Sequence, residues 1–383
     1  KGLSVATYSV VLALQLVIIV LTQSRGPMVG LIAGTLLFGM LLSLRLSRRL
    51  WVVSLLFAAV AGSILLMANV RDVPFSHLLQ PLRELPYVNR LTTILDTEGR
   101  TAQVRILTWD SAFELALSGK PLGINGEKIP GEDQLHRWRP LVGYGPETIF
   151  NALSRVYPPQ LAHIEGYNRQ ADRSHNETID IFLTKGLLGV LAFYFLISSL
   201  FCCLLRWLGL VPHRAALKLL LILMLSGGVS GVLMAFLLDG SGTRLTFTAF
   251  GFPLGLVGGI LAYLLASRLA WRAGCQVPER LILVGFFSAL VAHFVETHFV
   301  FSFSATHLYF WVLAASAVAV GKNGLIGVPG VRQGRIVDGA SQTDLDLGAD
   351  DAAQTFHTTR AANERWGFSI LSGIVLVILA FDF

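Results

Sequence analysis

The chain has 383 residues, of which 54% are hydrophobic and only 14% are charged. Soluble globular proteins carry roughly a quarter charged residues, so this composition excludes an ordinary soluble protein and indicates a polytopic membrane protein. The net charge of +6 comes from basic residues in short loops, a topological pattern rather than a nucleic-acid-binding surface. The three cysteines all lie outside the long polar loop, which excludes a disulfide framework and a cysteine-based zinc site.

The apolar segments predict an all-α fold of about nine transmembrane helices. A bilayer core needs about 20 residues of apolar helix. Such segments lie at 3–22, 27–44, 50–69, 182–205, 216–237, 246–267, 281–300, 305–321 and 367–381. Since the chain begins with Lys1 and stops just after an apolar run, we expect it to be a fragment of a longer protein.

Basic residues in the short loops predict which side of the membrane each loop faces. The loops 45–49, 206–218 and 268–280 are rich in arginine and poor in acid, so the positive-inside rule places them in the cytoplasm. Alternation of the helices then places the segment 71–180 outside. The hairpin near 22–27 lies on the same outer side.

These assignments divide the chain into five regions. Residues 1–70 form transmembrane helices 1–3, and 71–180 form an extracytoplasmic loop of short helices. Residues 181–321 form helices 4–8, 322–366 form a flexible cytoplasmic linker, and 367–383 form the last helix. The linker is rich in Gly, Asp, Gln and Thr, a composition typical of flexible segments.

Two sets of small residues predict close helix packing rather than chemistry. Glycines recur every fourth residue in the second and sixth apolar segments, at Gly26, Gly30 and Gly34 and at Gly251, Gly255 and Gly259. This spacing allows helix backbones to approach closely in lipid.

Three candidate functional residues lie on the predicted outer side. Arg25, in "LTQSRGPMVG", sits beside the start of the second helix, where a guanidinium and free N–H groups can bind an anion. Arg105 and Trp109 share one face of the predicted helix 101–119. Arg105 can bind a phosphate there, and Trp109 can lie in the interface or stack on a sugar. His175 precedes a transmembrane helix and can accept a proton from a sugar hydroxyl near neutral pH.

Each candidate also has a purely structural interpretation. Arg25 can be an arginine that anchors the hairpin with its side chain extended to the interface. Arg105 and Trp109 can belong to an amphipathic interfacial helix. His175 can be a surface residue at a helix start where Ser174 or Asn176 is the cap. Possible supporting residues are Asn176, Glu177, Trp109 and Tyr144, the last in a "GYGPETIF" turn that leads into a second short helix with Pro146 near its first turn.

Ionisable residues near the outer ends of later helices are weaker candidates. They are Asp239, Arg244, Glu296, His298 and His307, with His293 placed deeper. The spacing of Glu296, His298 and His307 matches no familiar metal site, and we expect neither a metal nor a cofactor.

The ordered set of motifs resembles the O-antigen ligase and O-antigen polymerase family. It consists of an outer "SRG" at a helix start, an outer Arg-x-x-x-Trp helix, "GYGPETIF", and "HN" ahead of "FLTKGLLGVLAFYFLI". The resemblance is clear over roughly 15–205 and looser over 206–321, including "VETHFVFSFSATHLYFWVLAA".

The resemblance implies a glycosyltransferase similar in architecture to the class C enzymes. Such proteins lie in the bacterial cytoplasmic membrane with the active site facing the periplasm or the cell exterior. They transfer a glycan from an undecaprenyl-pyrophosphate donor to a glycan, lipid A-core or protein acceptor, without a metal. Their partners are thus lipids and glycans, and no nucleic acid. Carried over, the base is His175, and Arg25 and Arg105 hold the pyrophosphate.

Glu177 and Asp180 depart from the family pattern, which favours apolar residues after the histidine. They can raise the pKa of His175, contact sugar hydroxyls, or act only as helix N-terminal acids. Two rival functions stay open, a membrane transporter and a non-catalytic member of the family. A transporter is expected to keep charges near the bilayer midplane, whereas the polar residues here are concentrated in one outer loop.

Overall fold

A computed structural model describes residues 2–46, 48–69, 99–118, 133–166, 171–238, 247–270 and 279–326, with a few isolated positions between them. The described residues are helical, with two 3₁₀ turns and no strand among them. The helices are α1 (Gly2–Thr22), α2 (Arg25–Leu46), α3 (Arg48–Asn69), α4 (Arg100–Leu117), α5 (Arg139–Val142), α6 (Ile149–Leu153), α7 (Pro159–Glu165), α8 (Glu177–Trp207), α9 (Arg214–Leu238), α10 (Thr248–Ala270), α11 (Glu279–Glu296) and α12 (Ser304–Ile326).

Five of the described helices are long and apolar enough to cross a membrane. The qualifying segments are Arg25–Ser43, Glu177–Trp207, Arg214–Leu237, Thr248–Ser267 and Ser304–Lys322. Helices also occupy the predicted segments at 3–22 and 50–69, whereas the predicted segment 281–300 is helical only as far as Glu296. The predicted helix 367–381 and all but the first residues of the linker 322–366 lie outside the described residues. The described part of the chain is therefore all-helical with five candidate membrane-spanning helices, which indicates a multi-pass membrane protein. The count of nine and the division into five regions stay predictions.

Glycine contacts hold two pairs of helices at close range. Along α9 and α10, Gly227 and Gly231 face Gly251 and Gly255 so closely that an added Cβ on any of them would overlap the opposite backbone. On α2, a Cβ at Gly30 would lie 2.7 Å from the carbonyl oxygen of Ala292 on α11. The packing role predicted for both glycine series is confirmed.

The core of the bundle surrounds α8. Phe201, Leu204 and Leu205 of α8 are fully buried, and Phe201 makes edge-to-face contacts with Phe287 and Phe294 of α11. Many side chains on α1, α3 and α9 are apolar and exposed, as expected for helix faces that contact lipid.

A break at Gly186 divides α8 into an outer and an inner half. Gly186 has φ +66° and ψ −168°, a region that is essentially restricted to glycine. The break frees the carbonyls of Leu183 and Thr184, which accept hydrogen bonds from the backbone N–H groups of Tyr144 (2.7 Å) and Gly145 (2.9 Å). The outer loop thereby docks directly on α8, and the outer half of α8 extends the predicted segment 182–205 back to Glu177.

The helix predicted at 101–119 is present as α4, with shifted ends. It begins at Arg100 after an N-cap at Gly99 that makes no side-chain cap, so Thr101 does not start it. Its buried face includes Ile106, Trp109 and Ala112, which pack with Ile149, Ile179 and Leu183 in a second apolar cluster. Because that cluster joins α4 to the outer half of α8, Arg105 and His175 are brought to the same end of the bundle.

Candidate active site

Arg25 is the first residue of α2, as predicted. The turn before it contains Gln23 with φ +53°, and the backbone N–H of Ser24 approaches Thr22 Oγ1 at 3.4 Å. Arg25 therefore lies at a helix N-terminus, where the first N–H groups have no partner within the helix and the helix dipole favours an anion.

Arg105 projects from α4 into the same region. Its guanidinium donates to the backbone carbonyl of Phe299 at 2.9 Å. Burial, and then the positive charge of Arg25, hold the pKa of Arg105 below its ordinary value. The two guanidiniums are therefore close enough to repel each other, although 80 residues separate them in the chain. An anion bound between them would relieve that repulsion.

His175 lies beside Arg105 in a restricted backbone conformation. Its φ is +61°, a left-handed conformation that costs a residue other than glycine roughly 1 kcal/mol or more and often marks a functional site. Burial, and then the charge of Arg105, hold the pKa of His175 below its ordinary value, while Asp172 and Glu165 act in the opposite direction. The imidazole is therefore neutral at pH 7.

One ring nitrogen of His175 faces an acceptor. Nδ1 lies 3.3 Å from the carbonyl oxygen of Arg173. Since a carbonyl can only accept, we assign the proton to Nδ1, which leaves the lone pair on Nε2. A neutral imidazole with a free Nε2 lone pair is the form that a general base requires.

Asn176 is a helix cap that also links two parts of the chain. Its Oδ1 accepts from the N–H of Ile179 (3.2 Å), and its Nδ2 donates to the carbonyl of His298 (3.1 Å). The side chain has no exposed surface, so it is not available to bind a substrate. The interpretation of Asn176 as a cap is confirmed, and its contact with His298 could not be predicted from the sequence.

Ser174 is held from two sides. The indole N–H of Trp109 donates to the Ser174 carbonyl at 2.5 Å, and the Ser174 N–H donates to Asp180 Oδ1 at 2.7 Å. Trp109 is buried against Phe250, so its ring is not free to stack on a sugar. Trp109 and Asp180 instead determine where the segment before His175 lies.

The carboxylate of Glu177 contacts Ser302 and His307 rather than His175. Its Oε2 accepts from Ser302 Oγ at 3.1 Å, and its Oε1 lies 3.8 Å from His307 Nε2. The carboxylates that act on His175 are Asp172 and Glu165. The idea that Glu177 and Asp180 raise the pKa of His175 is therefore wrong, because that pKa is lowered and both acids are engaged elsewhere.

Tyr144 belongs to the docking of the outer loop on α8. Its hydroxyl donates to the carbonyl of Leu115 at 3.1 Å, and burial raises its pKa to about 12. The guanidinium of Arg139 lies over its ring and is bonded through Nε (2.8 Å) and Nη2 (2.6 Å) to Asp133. Pro146 lies in the turn before α6 rather than in its first turn, because Thr148 is the residue that precedes the helix.

A turn between α11 and α12, residues 297–301, contacts every part of this region. Its carbonyls accept from Glu177 N–H (at Thr297, 3.1 Å), from Asn176 (at His298) and from Arg105 (at Phe299). Val300 packs against Gly26, next to Arg25, and the ring of Phe301 meets His175 edge-on at 4.8 Å. Sequence reasoning missed this turn, although the aromatic and histidine residues of "ETHFVFSFSATH" were a signal.

The other ionisable candidates separate into different groups. His298 is buried and bonds to Phe294, Thr178 and Tyr194, whereas His293 pairs with Glu296 at 3.7 Å. Asp239 and Arg244 lie outside the described residues. Within the described part of the chain, no three His, Cys, Asp or Glu residues are grouped as a metal site.

Comparison with protein families gives a match that includes the three candidate residues. Residues 10–194 match the family described as O-antigen ligase. Just under half of the chain is thus similar to the O-antigen ligase family. No curated protein and no solved structure matches the chain.

The match indicates glycan transfer of the O-antigen ligase type, in which a lipid-linked glycan is joined to an acceptor. The matched residues include Arg25, Arg105 and His175, and they extend through the break at Gly186. The turn 297–301 lies beyond the match.

Proposed function

We propose that this protein, which is similar to the O-antigen ligase family over residues 10–194, transfers a glycan from an undecaprenyl-pyrophosphate donor to an acceptor hydroxyl at the outer face of the cytoplasmic membrane. Arg25 and Arg105 hold the pyrophosphate, and His175 is the general base. The reaction is of the ligase or polymerase type and needs no metal. The observation that carries the proposal is the convergence of two guanidiniums and one neutral imidazole from three distant segments.

The two arginines match the needs of the leaving group. Cleavage of the glycosyl–phosphate bond leaves negative charge on the pyrophosphate, and cationic donors that are already in place stabilise that charge. Burial, and then the charge of Arg25, lower the pKa of Arg105, so two cationic groups act on one partly desolvated region. Bound pyrophosphate neutralises both charges, so the site favours the anionic product of the step.

The imidazole supplies the other half of the reaction. His175 Nε2 takes the proton of the acceptor hydroxyl as the oxygen forms a bond to the anomeric carbon. The bond from that carbon to the phosphate oxygen breaks, and its electron pair leaves with the pyrophosphate. One displacement inverts the anomeric configuration. The proton stays on the imidazolium until it is released to water or to the leaving group.

Trp109, Tyr144, Asn176 and Glu177 support this site without touching the reacting atoms. Trp109 and Asn176 hold the residues on either side of His175. Tyr144 ties the outer loop to α4, and Glu177 ties the start of α8 to the residues just after the turn 297–301.

The test is glycan transfer by purified protein. Arg25→Ala, Arg105→Ala and His175→Ala are each expected to reduce transfer from an undecaprenyl-pyrophosphate-linked glycan by about 100-fold or more, the range for loss of a base or a charge-stabilising donor. Arg155→Ala is the matched control, because Arg155 is an exposed arginine of the same outer region. The acceptor is identified beforehand from mass spectra of cell-surface glycans with and without the gene.

Two outcomes would refute the proposal. Full transfer by all three variants would exclude the assigned roles. Uptake of a solute by sealed vesicles containing the protein, with no glycan product, would favour a transporter instead.

A further inference from the structure

The turn 297–301 is rigidly attached to α8. His298 is 1% exposed, and its Nδ1 lies 2.7 Å from the carbonyl oxygen of Phe294. That nitrogen must carry the proton, because the carbonyl can only accept. Nε2 is then an acceptor for the hydroxyl of Thr178 (3.1 Å), which itself lies 2.6 Å from the hydroxyl of Tyr194.

This network determines where the following residues lie. Thr297 and His298 are bonded through their carbonyls to the first residues of α8, so the turn cannot slide along the helix without breaking several buried hydrogen bonds. A buried polar group that loses its partner is costly, because water cannot replace the lost hydrogen bond. Phe299 and Phe301 follow closely in the chain, so these hydrogen bonds also restrict their positions beside Arg105 and His175.

Phe301 makes the contact that concerns the imidazole directly. Its ring meets the ring of His175 at 81° with centroids 4.8 Å apart, within the range for edge-to-face aromatic pairs. On its other side Phe301 packs against Phe303, whose ring is 59% exposed. Phe301 therefore both limits the rotation of the imidazole and separates one of its sides from water.

We propose that Phe301, held by the turn 297–301, is a positioning residue that orients and desolvates His175. The inference rests on the function proposed above for His175. It adds a part of the chain that lies outside the matched family region. The same turn accepts the Arg105 guanidinium through Phe299, so one element aligns the base with an anion-binding arginine.

The first test measures the titration of the imidazole itself. Charged groups around His175 are Arg105 on α4, Glu165 on α7, and Arg173 and Asp172 in the preceding segment. All of these stay in place when Phe301 is replaced by alanine. We expect Phe301→Ala to admit water and to raise the pKa of His175, because desolvation is what mainly lowers it.

The measurement is NMR titration of histidine-labelled protein in lipid nanodiscs, with the His175 signal assigned by its absence in His175→Ala. Phe301→Tyr keeps the ring and is expected to keep the wild-type midpoint. Tyr309→Ala is the control, since Tyr309 is a 70% exposed aromatic residue on the neighbouring α12. An unchanged midpoint in Phe301→Ala would overturn the proposal.

A second variant covers the case in which Phe301→Ala does not fold. Phe301→Leu keeps an apolar side chain of similar volume but removes the ring, so the ring-current shift of the His175 signal should disappear. A shift that persists in Phe301→Leu would show that the two rings are not in contact, and the proposal would be wrong.

Transfer kinetics separate this proposal from the one on which it rests. Phe301→Ala is expected to lower kcat about ten-fold with little change in KM for the donor, and Phe301→Tyr to restore it. If His175→Ala is inactive while Phe301→Ala keeps full kcat, only the role of Phe301 is refuted. If His175→Ala is fully active, the proposed function fails, and the titration still reports whether Phe301 desolvates His175.

Discussion

Replacing Gly186 with alanine is expected to destabilise the protein, because this glycine is where α8 breaks and the outer loop docks. Its φ of +66° and ψ of −168° lie in a region that costs other residues roughly 1–3 kcal/mol. An added Cβ would also overlap the backbone of Leu141 and Val142 at less than 3 Å. Such overpacking costs about 1–3 kcal/mol more.

The backbone strain and the overlap add up, so we expect Gly186→Ala to lower the free energy of unfolding by about 2–6 kcal/mol. Gly143 lies on the opposite side of the same contact, where a Cβ would overlap the backbone of Thr184. Gly143→Ala should therefore have a similar effect. The double variant should be less than additive, because the first substitution already separates the two segments.

The assay is thermal unfolding of the detergent-solubilised protein followed by circular dichroism. The control is Gly258→Ala, because Gly258 is helical and a Cβ there would meet no atom within 4 Å. That control should be neutral or stabilising by up to about 1 kcal/mol. If Gly186→Ala unfolds at the same temperature as Gly258→Ala, the described docking of the loop on α8 is not what stabilises the outer region.

Three further predictions concern the site. Asn176→Asp keeps the acceptor for Ile179 but removes the donor to His298. Thermal unfolding should therefore show that the free energy of unfolding falls by about 1–3 kcal/mol, and a variant as stable as wild type would contradict the link to the turn. The kcat/KM for transfer should be constant at neutral pH and should fall as acid protonates His175. The midpoint of that fall should lie below the ordinary histidine pKa, because burial and Arg105 lower the pKa of His175. A midpoint above the ordinary value would refute the assignment. Arg105→Lys keeps the charge but loses the planar fork, so its transfer rate should lie between those of wild type and Arg105→Ala, and equality with Arg105→Ala would show that charge alone is not sufficient.

Much of the architecture could be predicted from hydrophobicity along the chain. Helices lie at each predicted apolar segment that the structure describes, because a backbone in lipid must satisfy its own hydrogen bonds and a helix does so locally. The glycine spacings predicted close packing because a glycine has no side chain to keep the opposite helix away, whichever helix that is. Arg25 was correctly expected at a helix start from the Ser24 and Pro27 that flank it.

The interpretation of individual polar residues was less successful. Asn176 and Trp109 each had a functional interpretation beside a structural one, and their burial supports the structural one in both cases. An effect of Glu177 on His175 was one of three alternatives and rested on their closeness in sequence, yet the Glu177 carboxylate contacts Ser302 and His307. Near a helix start, residues two positions apart point in different directions, so proximity in sequence does not predict contact.

The amino-acid sequence by itself therefore determined the helical segments, the glycine packing and the similarity to the O-antigen ligase family, since each depends on local pattern. Only the tertiary structure showed that Arg25, Arg105 and His175 come close together, and that the turn 297–301 joins their supports. Those contacts link residues separated by tens to hundreds of positions. They depend on how α4, α8 and α11 pack, and on a helix break at Gly186 that receives the loop at Gly143.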